Sequence, residues 1–83
     1  MEKIIVYSTQ SCPYCTMVKE FLKEKEIEFE SVDVGQDKVK ADEMVEKSGQ
    51  MGVPVVDIAG EIIIGFNKPK IEETLKEKGY LKK

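Results

Sequence analysis

The amino-terminal part of the chain carries a strand–helix–strand pattern, and no other feature of the sequence constrains the fold as much. Lys3–Ser8 is a nearly continuous run of apolar, β-favouring residues, which predicts a central strand covered on both faces. Apolar residues then follow a core-facing helical stripe from Met17 to about Lys25, and Glu28–Asp33 predicts a second strand. Two strands joined by a helix pair in parallel through a right-handed crossover.

The remainder of the chain predicts a second helix, a β-hairpin and a third helix. Asp37 is a typical N-cap of the second helix, and Gly49 is typical of its carboxyl end. Val55–Ile58 and Ile62–Ile64 predict two antiparallel strands around a tight turn at Gly60. The order β-α-β-α-β-β-α predicts an α/β fold, with a four-stranded mixed sheet in the order 2-1-3-4 and three helices. We expect residues 1–83 to form a single domain.

The composition excludes several kinds of chemistry. The chain has no His and no Arg, all 13 basic residues are Lys, and the net charge is -3. Without His there is no Ser–His or Cys–His pair, and zinc sites that use His are excluded. The net charge argues against binding of nucleic acid. The longest apolar run is too short for a membrane span, and charged Glu2 and Lys3 argue against a signal peptide. We therefore expect a cytoplasmic protein that contacts neither membrane nor nucleic acid.

The segment Cys12-Pro13-Tyr14-Cys15 lies where the first strand gives way to the first helix, which predicts a redox pair. Pro13 fixes the turn and favours the first helical position, so Cys12 lies at the helix start, where free amides and the helix dipole favour a thiolate. Cys15 falls within the first turn and is more sheltered. We predict that Cys12 attacks a substrate disulfide and that Cys15 resolves the mixed disulfide. Tyr14 offers an exposed aromatic surface beside the sulfur.

Three other uses of the two cysteines remain open. A mononuclear zinc site needs four ligands, and one chain supplies two thiolates and no imidazole. An iron–sulfur cluster or a zinc ion held through Cys12 would require a dimer and would make the protein a non-catalytic carrier. A structural disulfide would close a very short loop and would be reduced in the cytosol. Redox exchange fits better, so we predict no metal and no cofactor apart from the cysteine pair.

Val53-Pro54 is the second notable feature. A proline at the start of a strand, after a glycine, indicates a special turn and is compatible with a cis peptide bond. A cis bond would turn the backbone of Val53 towards the site, where it could pair with an extended peptide or a tripeptide.

Together these segments resemble the glutaredoxins of the thioredoxin superfamily, over essentially the whole chain. The resemblance rests on the cysteine motif after a strand, on Val53-Pro54 about forty residues later, and on a hairpin closing in Gly65-Phe66. It implies the thioredoxin fold, a cis Pro54, Cys12 as nucleophile, and disulfide reduction. It also implies contacts to substrate or glutathione from Tyr14, Val53, Pro54 and the backbone of Gly65, Phe66 and Asn67.

The sequence departs from that family at its usual glutathione contacts. Thr9 stands three positions before Cys12, where the family typically has Lys or Arg; only the helix start, backbone amides or Lys19 remain to support the thiolate. Met51-Gly52 replaces a basic residue and a threonine. In the glycine loop Ile64 replaces the first glycine, and Lys68 falls where an aspartate should meet the γ-glutamyl amine. We therefore favour reduction by a thioredoxin reductase-type enzyme, with glutathione as the alternative co-substrate.

The loop after the hairpin is also similar to that of NrdH-redoxins, which are glutaredoxin-like in sequence and thioredoxin-like in reduction. Their loop reads Gly-Phe-x-Pro, and the segment Gly65–Pro69 is one residue longer. We expect disulfide-containing proteins as partners and a monomer in solution. Tyr14, Met51 and Phe66 would form an apolar docking patch around the sulfur.

Two carboxylates lie near predicted strand ends, at Asp33 and Asp57. A buried carboxylate there could take the proton of Cys15, as in thioredoxins. Exposed turn positions are more common for aspartate, so we expect both to lie on the surface.

Overall fold

The helices and strands follow the predicted β-α-β-α-β-β-α order. The computed structural model of the protein describes residues 4–50 and 52–80. The elements are β1 (Ile4–Ser8), α1 (Pro13–Glu24), β2 (Phe29–Asp33), α2 (Lys38–Ser48), β3 (Val55–Ile58), β4 (Glu61–Ile64) and α3 (Lys68–Glu77). Each begins and ends within a residue or two of its expected position; Lys3, expected to begin β1, lies outside the described residues.

The four strands form one mixed sheet in the order β2-β1-β3-β4, which confirms the predicted fold. β1 pairs in parallel with β2, with Tyr7 opposite Val32. β1 and β3 are antiparallel, as are β3 and β4, so that Val56 lies between Val6 and Ile63. The central strand β1 is therefore flanked by one parallel and one antiparallel neighbour.

Side chains alternate between the two faces of the sheet and build two separate cores. The larger core joins the sheet to α1 and α3, with Val6 and Val56 against Leu22 and Leu75. The smaller core lies beneath α2 and gathers Tyr7, Val32, Met44 and Val55. The nearly continuous apolar sequence of β1 is explained by this arrangement, because β1 faces a core on both sides.

Local sequence signals define the helix ends as expected. Asp37 caps α2 by accepting a hydrogen bond from the Lys40 backbone at 3.2 Å. Gly49 ends that helix with φ of 77°, a left-handed conformation that favours glycine. No helix in the part of the chain that the structure describes is long and apolar enough to cross a membrane.

Candidate redox site

Three chain segments converge at one end of the sheet. Tyr7 of β1 pairs with Val55 of β3, and Val55 pairs with Ile64 of β4. The end of β1, the start of β3 and the end of β4 therefore lie side by side. The cysteine motif follows β1, Pro54 precedes β3, and Gly65 follows β4. The topology thus places the three predicted site segments at the same end of the sheet.

Cys12 is the N-cap residue of α1, and Pro13 occupies the first helical position. The Sγ atom of Cys12 accepts a hydrogen bond from the backbone N–H of Cys15 at 3.1 Å. The free amides and the dipole of the helix start favour negative charge on this sulfur. Cys12 is partly exposed whereas Cys15 is buried, so Cys12 is the sulfur that a substrate can reach.

Cys15 lies beneath Cys12 with only 1% of its surface exposed. Burial, and after it the hydrogen bond between this thiol and Cys12, raise the pKa of the Cys15 thiol to about 11. Cys15 therefore keeps its proton at neutral pH. The structure separates the two sulfurs into an accessible one that accepts hydrogen bonds and a sheltered one that stays protonated.

Two nearby groups act in the opposite direction on Cys15. A hydrogen bond with the backbone of Thr9 and the charge of Lys19 both lower its pKa, although burial outweighs them. Thr9, which the sequence identifies as a supporting residue, thus contacts the buried cysteine through its backbone. Lys19 lies half-buried on α1, and its charge acts on Cys15.

The Val53-Pro54 peptide bond is cis, as the resemblance implied. Pro54 is buried and Val53 half-buried. The carbonyl of Pro54 accepts a hydrogen bond from the backbone of Gly65 at 2.8 Å, which ties the two loops together. Gly65 has φ of 78°, where any other residue would be strained.

The predicted members of the apolar docking patch lie in different environments. The Tyr14 side chain is 60% exposed. Phe66 is half-buried and meets the edge of Phe21, with ring centroids 6.3 Å apart. Asn67 is the N-cap of α3, and its side chain accepts a hydrogen bond from the backbone of Lys70 at 3.3 Å. Met51, the remaining member of the predicted patch, lies outside the described residues.

A groove between α1 and the loop around Phe66 is a feature that the sequence did not reveal. Its volume is about 240 Å³, and it is lined by Met17, Glu20, Phe21, Glu24, Phe66 and Lys68. Met17 was expected to face the core, but that prediction is wrong, because 44% of this side chain is exposed. Met17 lies at the edge of the apolar stripe, where it lines the groove and does not enter the core.

Lys68, at the first position of α3, forms one wall of this groove. Its ammonium lies over the ring of Phe21, 5.5 Å from the centroid, which is a cation–π contact. A positive charge here would repel an ammonium group of a ligand that lies beside Lys68.

The two aspartates near strand ends have different environments. Asp33 accepts a hydrogen bond from the backbone of Gly35 at 2.9 Å in an exposed turn. Asp57 was also expected in an exposed turn, but that prediction is wrong, because it is only 8% exposed. Its carboxylate accepts hydrogen bonds from Lys47 at 2.8 Å and from the Gly60 backbone. Asp57 shares the sheet face of α2, opposite α1 and Cys15, so it cannot take the proton of that thiol.

A metal centre would need ligands besides the cysteine pair. Among residues 4–50 and 52–80, no three His, Cys, Asp or Glu side chains are grouped so that they could hold a metal ion. A metal bound through Cys12 would have to take further ligands from a second chain or from free thiols.

Comparison with known proteins gives a consistent picture. The sequence model of the glutaredoxin family matches residues 4–63. The uncharacterised glutaredoxin-like 8.6 kDa protein in the rubredoxin operon of Clostridium pasteurianum is 46% identical over 74 residues, which cover 89% of this chain and 99% of that protein. Glutaredoxin 3 of Escherichia coli K12 is 31% identical over 65 residues, or 78% of each chain.

Solved structures share the fold. The glutaredoxin from Archaeoglobus fulgidus superposes with a TM-score of 0.84 at 27% identity, covering 92% of this chain and 88% of that one. NrdH-redoxin from Escherichia coli superposes with a TM-score of 0.76 at 24% identity, covering 87% of this chain and 93% of that one, a likeness of fold alone. The thioredoxin-like architecture is therefore that of known redox proteins.

Proposed function

Because the chain belongs to the glutaredoxin family, we propose that it is a dithiol thiol–disulfide oxidoreductase that reduces protein or mixed disulfides through Cys12 and Cys15. The observation that carries this proposal is the asymmetry of the pair. Cys12 is accessible and accepts a hydrogen bond at a helix start, whereas Cys15 is buried and has a pKa raised to about 11.

The reaction follows from this arrangement. The Cys12 thiolate attacks one sulfur of a substrate disulfide, and the other sulfur leaves as a thiolate that takes up a proton. Cys15 then attacks the sulfur of Cys12 in the mixed disulfide, and the proton that Cys15 loses goes to the departing substrate sulfur. The substrate leaves as a dithiol that has gained two electrons, and the two cysteines are left oxidised as the Cys12–Cys15 disulfide. Cys15 needs little movement, because its thiol already hydrogen bonds to Cys12.

A thioredoxin reductase-type enzyme is the reductant that we propose for the oxidised protein, with glutathione as the alternative. The proposal is supported by the residues at the family's glutathione contacts. Thr9 offers no cation for a glycyl carboxylate, and the ammonium of Lys68 would repel the γ-glutamyl ammonium. We further propose a monomer that works in the cytoplasm on disulfide-containing proteins and uses no cofactor apart from its cysteine pair.

Serine variants of the two cysteines test the proposed reaction. Cys12→Ser should lose all reduction of insulin, because the attacking sulfur is gone. Cys15→Ser should still form a mixed disulfide with a substrate but should not release it, so only monothiol chemistry remains. Mass spectrometry of the trapped species, combined with an insulin turbidity assay, measures both outcomes.

The opposite pattern would contradict the assignment of roles. If Cys15→Ser abolished mixed-disulfide formation while Cys12→Ser spared it, Cys15 would be the attacking residue. A coloured or zinc-containing dimer that reduces no disulfide would instead identify the protein as a metal carrier.

A further inference from the structure

The groove beside Phe66 extends the redox site along the surface of α1. Its α1 members are positions 17, 20, 21 and 24, which form a single stripe because each lies three or four residues from two of the others. The stripe runs from Pro13 through Met17 to Glu24, and Pro13 directly follows Cys12. A chain attached to Cys12 through a disulfide can therefore continue into the groove.

The size and floor of the groove suit a single apolar side chain. Its volume of about 240 Å³ lies below the roughly 300–1,000 Å³ of most small-molecule pockets. Met17, Phe21 and Phe66 supply the apolar surface, and Met17 and Phe66 leave part of theirs uncovered. Burial of an aliphatic side chain there would remove apolar surface from water on both partners.

Charged side chains line the walls of the groove. Glu20 and Glu24 stand one helical turn apart, and neither forms an ion pair with any residue that the structure describes. Two lysines lie over the Phe21 ring: Lys68, which belongs to the lining, and Lys25, which pairs with Glu72. Neither lysine forms an ion pair with Glu20 or Glu24, so these two carboxylates can accept a cation from a ligand.

We propose that this groove binds an extended segment of the protein substrate next to its reducible cysteine, in which an apolar residue is followed by Lys or Arg. The apolar side chain occupies the floor, and the cation lies between Glu20 and Glu24. This inference rests on the proposed function, because it names the class of disulfide that Cys12 attacks.

Helix and strand dimensions set the spacing of the segment. With a rise of 1.5 Å per residue, the floor from Met17 to Phe21 lies about 8–14 Å along the helix from Cys12, and the two glutamates lie about 12–18 Å along it. An extended peptide covers about 3.3 Å per residue. The apolar residue should therefore stand about three residues from the substrate cysteine, and the cation about five. Alternation of side chains places both on the same side of an extended chain.

Synthetic peptides that differ in one charge test the proposal. Each peptide carries one cysteine as a mixed disulfide with nitrothiobenzoate, a leucine three residues away, and either Lys or Glu five residues away. One pair has these residues on the amino side of the cysteine, and a second pair has them on the carboxyl side. Cys12 displaces one thiolate and Cys15 the other, so each turnover oxidises the dithiol and releases both the peptide thiol and coloured nitrothiobenzoate.

The rate constant for single turnover by the reduced protein is the measurement. In at least one pair the Lys peptide should react about threefold to tenfold faster than the Glu peptide, as expected for two exposed charge contacts. The preference should shrink with added salt. Glu20→Lys/Glu24→Lys should reverse it. The matched control Glu30→Lys/Glu46→Lys, which changes two exposed glutamates on β2 and α2, should keep it.

A substitution in the floor gives a second, independent readout. Met17→Ser should reduce the advantage of a leucine peptide over a peptide with serine at that position, whereas the charge preference should persist. Equal rates for Lys and Glu peptides in both pairs, or a preference unchanged by Glu20→Lys/Glu24→Lys, would overturn the proposal. Those results would still leave disulfide reduction intact, whereas no nitrothiobenzoate release from any peptide would overturn the proposed function itself.

Discussion

At the scale of single residues, the two cysteines differ because of where their side chains point. Cys12 is an N-cap whose sulfur faces solvent and backbone amides, whereas Cys15 points inward and is 1% exposed. Three positions of separation in a first helical turn are enough to create this difference. Burial dominates the behaviour of Cys15 and raises its pKa to about 11, against the lowering effect of Lys19.

Alkylation of the buried thiol should therefore require high pH. In Cys12→Ser, where Cys15 is the remaining thiol, the rate of reaction with iodoacetamide should rise with a midpoint well above pH 9, because burial keeps the thiol protonated. The same variant unfolded in guanidinium should show a midpoint near that of a free cysteine, about 8.5. Mass spectrometry across a pH series measures both midpoints, and identical midpoints would show that burial does not protect the thiol.

At the scale of elements, α2 joins the sheet through polar contacts as well as through the small apolar core beneath it. Met44 is its one buried residue among those described. The Tyr7 hydroxyl donates a hydrogen bond to Glu43 at 2.6 Å, and Lys47 donates to Tyr7 at 3.0 Å and to Asp57 at 2.8 Å. The hydrogen bond to Asp57 raises the pKa of Lys47, so the lysine stays charged throughout the neutral range.

Removal of the Lys47 ammonium should weaken the attachment of α2 to the sheet. Lys47→Met leaves the Asp57 carboxylate, which is 8% exposed, without its cation, and should lower the free energy of unfolding by about 1–3 kcal/mol. Lys47→Met/Asp57→Asn should recover part of that loss, because the uncharged amide can still accept from Gly60. Urea unfolding measures these changes.

An exposed lysine on the same helix provides the comparison. Lys40 pairs with Glu43 at 3.7 Å, so Lys40→Met should change stability by no more than about 0.5 kcal/mol. An equal effect of both single variants would show that the contact with Asp57 adds nothing to stability.

At the scale of the whole molecule, the proposed electron donor would meet the surface around one end of the sheet. There the motif, the Pro54 loop and the Gly65 loop meet, and the groove leads away between α1 and α3. Lys68 places a positive charge on the side of the site where the family resemblance implies an aspartate. A small acidic protein with this surface presents a poor site for the ammonium end of glutathione.

We therefore expect NADPH to be consumed faster with thioredoxin reductase than with glutathione and glutathione reductase. Lys68→Asp should raise the glutathione-supported rate about twofold to tenfold, because it replaces a repulsive charge with an attractive one. The neighbouring Lys70→Asp, whose lysine pairs with Glu61 at 3.9 Å, is the matched control and should leave that rate unchanged. Faster turnover of the unmodified protein with glutathione would contradict the expectation.

The sequence by itself determined the order of the elements and the location of the redox pair. The apolar run of β1, the helix signals at Pro13 and Gly49, and the motif at Cys12 act over a few residues, and the structure contains each of them. Parallel pairing of β1 with β2 also followed, since a crossover helix of this length permits little else.

Tertiary structure decided which side chains are covered, because that depends on elements far away in the chain. Met17 is exposed where it lines the groove beside Phe66, and Asp57 is buried where α2 brings Lys47 over β3. The groove likewise exists only once α1 and the Phe66 loop, more than forty residues apart, lie together. Local patterns define helices and strands, whereas burial, charge pairing and binding surfaces arise from the packing of those elements.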